Sequence, residues 1–202
     1  MGIHFLGFGV HEHMNPIHRI ARMYFAQLWQ GYSLNTSNLL KYQEFRALGL
    51  NVPRTSLDLP EPDSDPLTVI RFKASQAGPK VIVDDTSLDV EGAKVGVNVR
   101  WLMDRLSEML GRKAVVSVYL GVLEDDGLIY VYRGQVEGIL VEASGPGFGF
   151  DPLFQPKGAT KTLAQSKPDS VNARALAVKA FLRKKPFKRM PSLRDWDGPM
   201  QH

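Results

Sequence analysis

Apolar positions along the chain change their spacing several times, and each change marks a different element. Residues 16–31 follow Asn15-Pro16, carry Ile17, Ile20, Ala21, Tyr24 and Leu28 at helical spacing, and close at Gly31, which predicts a capped amphipathic helix. A short extended piece over residues 32–35 leads into Thr36-Ser37-Asn38, whose side chains can cap a helix over residues 39–48 that Gly49 ends. Asp65-Pro66 opens a further helix, with Lys73 inside it and Gly78-Pro79 as its stop. Val81-Ile82-Val83 is β-branched throughout and predicts a strand buried on both faces, which delivers Asp84-Asp85 to its carboxyl end. In an α/β sheet that end is where ligands bind.

Leu102, Leu106, Met109 and Leu110 fall on one stripe and predict a helix over residues 98–110, closed by Gly111. Strands over residues 114–123 and 128–141 flank the polar turn Glu124-Asp125-Asp126-Gly127 and predict a hairpin. A glycine-rich loop at residues 145–149 and a last helix over residues 170–182 complete the pattern. Strands interleaved with helices place the chain in the α/β class.

Composition narrows the chemistry. With 202 residues, 44% of them hydrophobic, the chain can bury one substantial core, or one core divided by a cleft. The apolar runs fall short of a membrane span, and the stretch from Phe5 to Val10 is too short for a signal peptide, which points to a cytoplasmic protein with no membrane partner. The absence of cysteine excludes disulfides, thiolate metal sites and a cysteine nucleophile. His4, His11, His13 and His18 sit at the start and His202 at the end, so the body has no imidazole base and must work with carboxylates, lysines and a metal. The net charge of +4 is concentrated near the C-terminus, where from Lys179 onward seven basic residues face two acidic ones. A solvated tail explains this charge without a nucleic-acid partner.

Three groups of residues carry candidate chemistry. The helix start at Thr36-Ser37-Asn38 offers backbone amides and side-chain donors to an anion, and Lys41 adds a charge in the first turn. Glu61, Asp84 and Asp85 suffice as an oxygen-ligand set for magnesium shared with substrate phosphates. In the loop Gly145 to Pro152, Phe148 and Phe150 could flank a flat base while Asp151 accepts its N–H groups. Singly, each motif is also what a capped surface helix, an acidic turn or a glycine turn with core aromatics would give.

In order along the chain, Thr36-Ser37-Asn38 with Lys41, Glu61, Lys73, Val81-Ile82-Val83-Asp84-Asp85-Thr86 and Gly147-Phe148-Gly149-Phe150-Asp151-Pro152-Leu153-Phe154 resemble the inosine triphosphate pyrophosphatase family. The likeness runs from about Tyr32 to Leu182 and takes in Tyr132-Arg133-Gly134 and the segment around Trp101. It implies an elongated central mixed sheet flanked by helices, two lobes with a cleft between them, and a homodimer. It also implies hydrolysis of a nucleoside triphosphate to the monophosphate and pyrophosphate, a house-cleaning reaction on non-canonical purine nucleotides. By that resemblance Asn38, Lys41 and Lys73 would hold the triphosphate, with Thr36, Ser37 and Thr86 beside it. Glu61 and Asp85, helped by Asp84, would bind Mg2+ and orient water. Phe148, Gly149, Phe150 and Asp151 would enclose the base, with Lys167 and Ser170 nearby.

The sequence departs from the family in three places. Ser37 replaces the glycine of Thr-Gly-Asn, and Ser170-Val171-Asn172 stands where the family has Ser-His-Arg, which implies an altered base preference. Residues 1–31 form an extension with no family counterpart, preceding a catalytic domain at 32–184 and a basic Pro-containing tail at 185–202. The alternatives are a Maf-type nucleotide pyrophosphatase, a catalytically inactive nucleotide-binding or dimerisation module, and a nucleic-acid binder using the tail.

Overall fold

The computed structural model describes residues 29–201. The chain divides into Met1–Gly31 and Tyr32–His202, and the description below concerns the second unit. The helix expected over residues 16–31 and the N-terminal histidines lie outside the described residues, apart from a turn at residues 29–31.

Seven strands form one mixed sheet in the order β2-β1-β3-β4-β5-β6, with β7 also on β5. β1 (Ser33–Asn35) runs parallel to β2 (Arg54–Thr55) and to β3 (Val81–Val90). From β3 onward every pairing is antiparallel: β3 with β4 (Lys113–Leu123), β4 with β5 (Leu128–Leu140), and β5 with both β6 (Phe154–Pro156) and β7 (Lys188–Pro191). The expected hairpin is therefore present, and the α/β class holds.

The described residues contain three α-helices, each started by a side-chain cap. Asn38 accepts from the Lys41 amide at the start of α1 (Leu39–Ala47). Asp65 accepts from Leu67 and Thr68 at the start of α2 (Pro66–Ala77). Asn172 accepts from Arg174 and Ala175 at the start of α3 (Ala173–Leu182). Such caps satisfy amides that have no partner within the helix.

Two glycines let α2 and α3 lie close against opposite faces of the sheet. A Cβ on Gly121 would stand 2.8 Å from Ile70 of α2, and one on Gly134 would stand 1.9 Å from the Ala173 carbonyl of α3. Gly121 pairs with Val131, whereas Gly134 pairs with Val118, so the two glycines face opposite sides of the pleat. On the α2 side, Ile70 and Ala74 pack with Val83, Tyr119, Ile129 and Val131. No helix among the described residues is long and apolar enough to cross a membrane.

Four expectations need correction. β3 continues to Val90 because β4 pairs with it from Val83 to Val90, so Asp84 and Asp85 sit within the strand and not at its end. Residues 98–110 form two 3-10 segments, Val97–Trp101 and Met103–Met109. Val97 and Val99 are both buried, a spacing of two that a helix does not satisfy, and β-branched valines favour helix weakly. The last helix begins at Ala173 because Asn172 supplies the cap, leaving Ser170 in a separate 3-10 turn. The basic tail keeps its charged side chains exposed, as expected, but its backbone joins the sheet: β7 pairs with β5, and Arg189 stacks over Tyr130.

Candidate active site

β1 ends at Asn35, which pairs with Val83, so from Asp84 onward the edge of β3 has no β1 neighbour. The chain leaving β1 turns through Thr36-Ser37-Asn38 into α1. The cap thus stands beside that free edge, at the carboxyl end of the parallel pair. A cleft of about 680 Å³ opens there, lined by residues from each of the three candidate groups.

Alternation along β3 sends the two adjacent carboxylates to opposite faces of the sheet. Asp84 pairs with Leu120 and shares the α3 face, while Asp85 pairs with Tyr119 and shares the α2 face. Asp84 meets Lys41 of α1 at 3.0 Å. Burial opposes its ionisation, yet Lys41, Arg174 and Lys73 outweigh that cost and hold the carboxyl below its ordinary range.

Lys73 reaches from α2 to the other side and spends all three ammonium donors. They go to Glu61 Oε1 at 2.5 Å, the Asp84 carbonyl at 3.0 Å and Asp85 Oδ1 at 3.2 Å. Burial would lower its pKa, but Asp85, Glu61 and Asp84 raise it, so Lys73 stays charged. Asp85 is pushed up to about 6, first by burial and then by the negative charges of Glu61 and Asp84, with Lys73 opposing. Its Oδ2 is buried without a hydrogen-bond partner, as is Thr86 Oγ1 on the next residue.

No three acidic or histidine side chains converge on a metal site among the described residues. Glu61 and Asp85 are joined through Lys73, and Asp84 faces away from them. The fit to magnesium rests on Asp85 Oδ2, an ionisable oxygen in the cleft with nothing bound to it. Magnesium usually takes one or two carboxylates and completes its shell with water and phosphate oxygens.

The other end of the cleft holds Phe148, Gly149, Phe150, Asp151 and Lys167. Phe148 is 62% exposed, whereas Phe150 packs edge-on against Phe154 at 6.4 Å. Lys167 bonds Asp151 at 2.9 Å. Sequence reasoning missed the centre of this end, Glu44 of α1. Its carboxylate accepts from Asn172 at 3.0 Å, pairs with Arg174, and lies 3.5 Å from Lys167. Burial opposes its ionisation, but Arg174 and Lys167, with the Asn172 bond, hold its pKa low. A signal was available: Glu44 follows Lys41 by three residues, so both lie on one face of α1. Ser170 is exposed and does not line the cleft. Asn172 is buried as cap and Glu44 donor.

Near the α1 cap, Thr36 Oγ1 accepts from the Asn38 amide at 3.2 Å, and Asn38 Oδ1 from the Lys41 amide at 3.1 Å. Ser37 is exposed and has no positive φ, so its backbone does not require the family glycine.

Residues 32–184 match the model of the Ham1 family. A dITP/XTP pyrophosphatase from Methanopyrus kandleri is 31% identical over an alignment of 152 residues, in a match that covers 64% of this chain and 81% of that protein. An inosine triphosphate pyrophosphatase from Batrachochytrium dendrobatidis is 31% identical over an alignment of 147 residues, in a match that covers 65% of this chain and 77% of that protein. The structure of the Staphylococcus aureus Ham1 protein matches with a TM-score of 0.61 at 21% identity, covering 76% of this chain and 96% of that one, which shows a shared fold.

Proposed function

The chain belongs to the Ham1 family, and from that premise we propose that it hydrolyses a nucleoside triphosphate to the monophosphate and pyrophosphate, with magnesium, in the cytoplasm and as a homodimer. The observation that carries the reading is the unpartnered Asp85 Oδ2 beside Glu61 and Lys73, in a cleft whose far end is lined by Phe148 and Phe150. The relatives' names, a dITP/XTP and an inosine triphosphate pyrophosphatase, supply the reaction class.

Glu61 and Asp85 would hold magnesium, which neutralises phosphate charge and polarises the scissile anhydride when bound. Lys41 and the free amides of the α1 N-terminus bind phosphate oxygens, and Lys73 exchanges one carboxylate bond for one to a phosphate oxygen. Water forms an O–P bond as the α–β anhydride P–O bond breaks and pyrophosphate leaves. Its proton passes to a carboxylate in the cleft. Charge neutralisation and positioning carry such a reaction, so histidine is not required.

The base preference differs from that of relatives with the Ser-His-Arg pattern. Val171 and Asn172 replace its last two residues, and Asn172 is already committed to the α3 cap and to Glu44. Lys167, Arg174 and Asp151 are the polar groups left to read a base edge. Incubation with magnesium and a panel of nucleoside triphosphates tests the reading: pyrophosphate release from at least one is expected, and release from none overturns it. Light scattering checks the dimer.

A further inference from the structure

The family match ends at residue 184, and the chain beyond it returns to the candidate active site. After β7, the segment crosses α2. Arg71 donates to the Pro191 carbonyl at 2.6 Å and to that of Ser192 at 3.3 Å, Ser75 Oγ accepts from the Leu193 amide at 2.8 Å, and Gln76 donates to the Arg194 carbonyl at 2.6 Å. These three side chains, four and five residues apart, form an outer face of α2, while Lys73 points from the same helix into the cleft. Trp196 Nε1 then donates to the Pro199 carbonyl at 3.0 Å, and its ring leaves no room for a Cβ on Gly198. The turn so formed aims the last residues at the loop carrying Glu61.

There the backbone groups close up in pairs. The Asp63 amide donates to the Pro199 carbonyl at 2.9 Å, the Gln201 amide to the Glu61 carbonyl at 2.9 Å, and the Gln201 side chain to the Pro62 carbonyl at 3.0 Å. Pro62 and Met200 form an antiparallel bridge, and Gln201 lines the cleft. Glu61 stands in an irregular loop between β2 and α2, so its placement against Lys73 needs anchors of this kind.

We propose that residues 188–201 are a strap that positions Glu61, with Pro199 and Gln201 as its positioning residues. The inference rests on the reading of Glu61 as a magnesium carboxylate. The strap fixes the backbone from the Glu61 carbonyl to the Asp63 amide, and misplacing a positioned group by about 1 Å can cost roughly 100-fold in rate.

Two variants test it, deletion of residues 199–202 and Gln201→Ala, which removes one side-chain bond and keeps the chain length. The deletion is expected to lower kcat by about 10- to 100-fold with a much smaller change in nucleotide KM, because Lys41 is untouched. Amide hydrogen exchange in residues 57–64 quickens while β4 stays protected, and the Mn2+ concentration needed for half-saturation, read by electron paramagnetic resonance without nucleotide, rises. Gln201→Ala moves all three readings in the same direction by less. Unchanged exchange and Mn2+ titration in the deletion variant overturn the proposal. So does exchange that quickens equally across β4 and β5, since the segment would then support the whole fold and not Glu61. If the full-length chain hydrolyses no triphosphate, the functional reading fails by itself, and exchange with Mn2+ binding still decides the strap.

Discussion

Asp85 and Glu44 are both carboxylates drawn out of bulk water beside cations, at the two ends of one cleft. Asp85 keeps Oδ2 without a partner, whereas Glu44 spends Oε1 on Asn172 and Lys167 and Oε2 on Arg174. Their pKa values move in opposite directions, Asp85 upward to about 6 and Glu44 downward. The contrast separates two uses of charge. An end with an unmatched oxygen is ready to receive a cation and the phosphates it brings. An end whose charges are mutually paired admits a ligand only by exchanging existing bonds, which favours discrimination over grip.

The largest effect expected from breaking this contrast is at Lys73. Lys73→Met leaves Asp85 and Glu61 without their shared cation, and removing one partner of a buried pair costs ~3–5 kcal/mol. Urea unfolding measures it. Arg174→Met at the other end should cost less, because the Glu44 side chain is 27% exposed and keeps Lys167 and Asn172. Equal losses would erase the distinction between the ends.

Next is Asp85→Asn, for which turnover should fall by at least ~100-fold, the scale for removing one preorganised electrostatic group. Stability should move the other way. The folded-state pKa of Asp85, about 6, lies above the ordinary aspartate value of about 3.9. The folded chain therefore binds more protons between those values, and the Asp85 contribution to stability falls as pH rises through that window. Asparagine removes the penalty, so without metal the variant should melt at or above the parent temperature at pH 8. The same group sets an acid limb on activity, with the rate falling below about pH 6. Raising magnesium should shift the limb to lower pH, because cation and proton compete for one carboxylate. A magnesium-independent limb would assign it elsewhere.

Glu44→Gln sharpens the comparison from the discriminating end. It loosens Arg174 and Lys167 without touching Asp85, so the ratio of kcat/KM for inosine over adenosine triphosphate should change by about tenfold, within the range a few base contacts can supply. A uniform drop for both substrates would place Glu44 in phosphate binding instead.

How much of each end was legible follows from how it is built. Lys41, Glu61, Lys73, Asp84 and Asp85 sit in short motifs that are ambiguous one by one, and their order along the chain, through the resemblance to a family, singled them out. That pattern did not reveal that strand alternation turns Asp84 and Asp85 to opposite faces, because the continuation of β3 past Val83 is imposed by β4. The Glu44 end joins residues more than a hundred positions apart, and Asn172 looks in sequence like a lost base contact. Only tertiary packing of α1 against α3 shows that it caps a helix and donates to Glu44. The strap was the least legible. A run of basic residues reads as solvated, and the bonds that fold it down are largely to backbone carbonyls, which carry no sequence signature.

The smallest effect is expected at Ser37, where the sequence departs from the family glycine on the side of the cleft that otherwise keeps the pattern. Glycine would be needed if the backbone there were left-handed or if a Cβ met a neighbour. Ser37 has no positive φ and is exposed, so neither demand is visible. Ser37→Gly should change stability by about 0.5 kcal/mol or less, as exposed positions usually do, with a small loss from the added freedom of the unfolded chain. Phosphate affinity should also stay within roughly twofold if the Ser37 amide and the first amides of α1, and not the space beside them, grip the anion. Isothermal titration with inorganic pyrophosphate and magnesium measures this directly. A gain of tenfold or more would mean that the serine obstructs the phosphate end, and that this end too has diverged from its relatives.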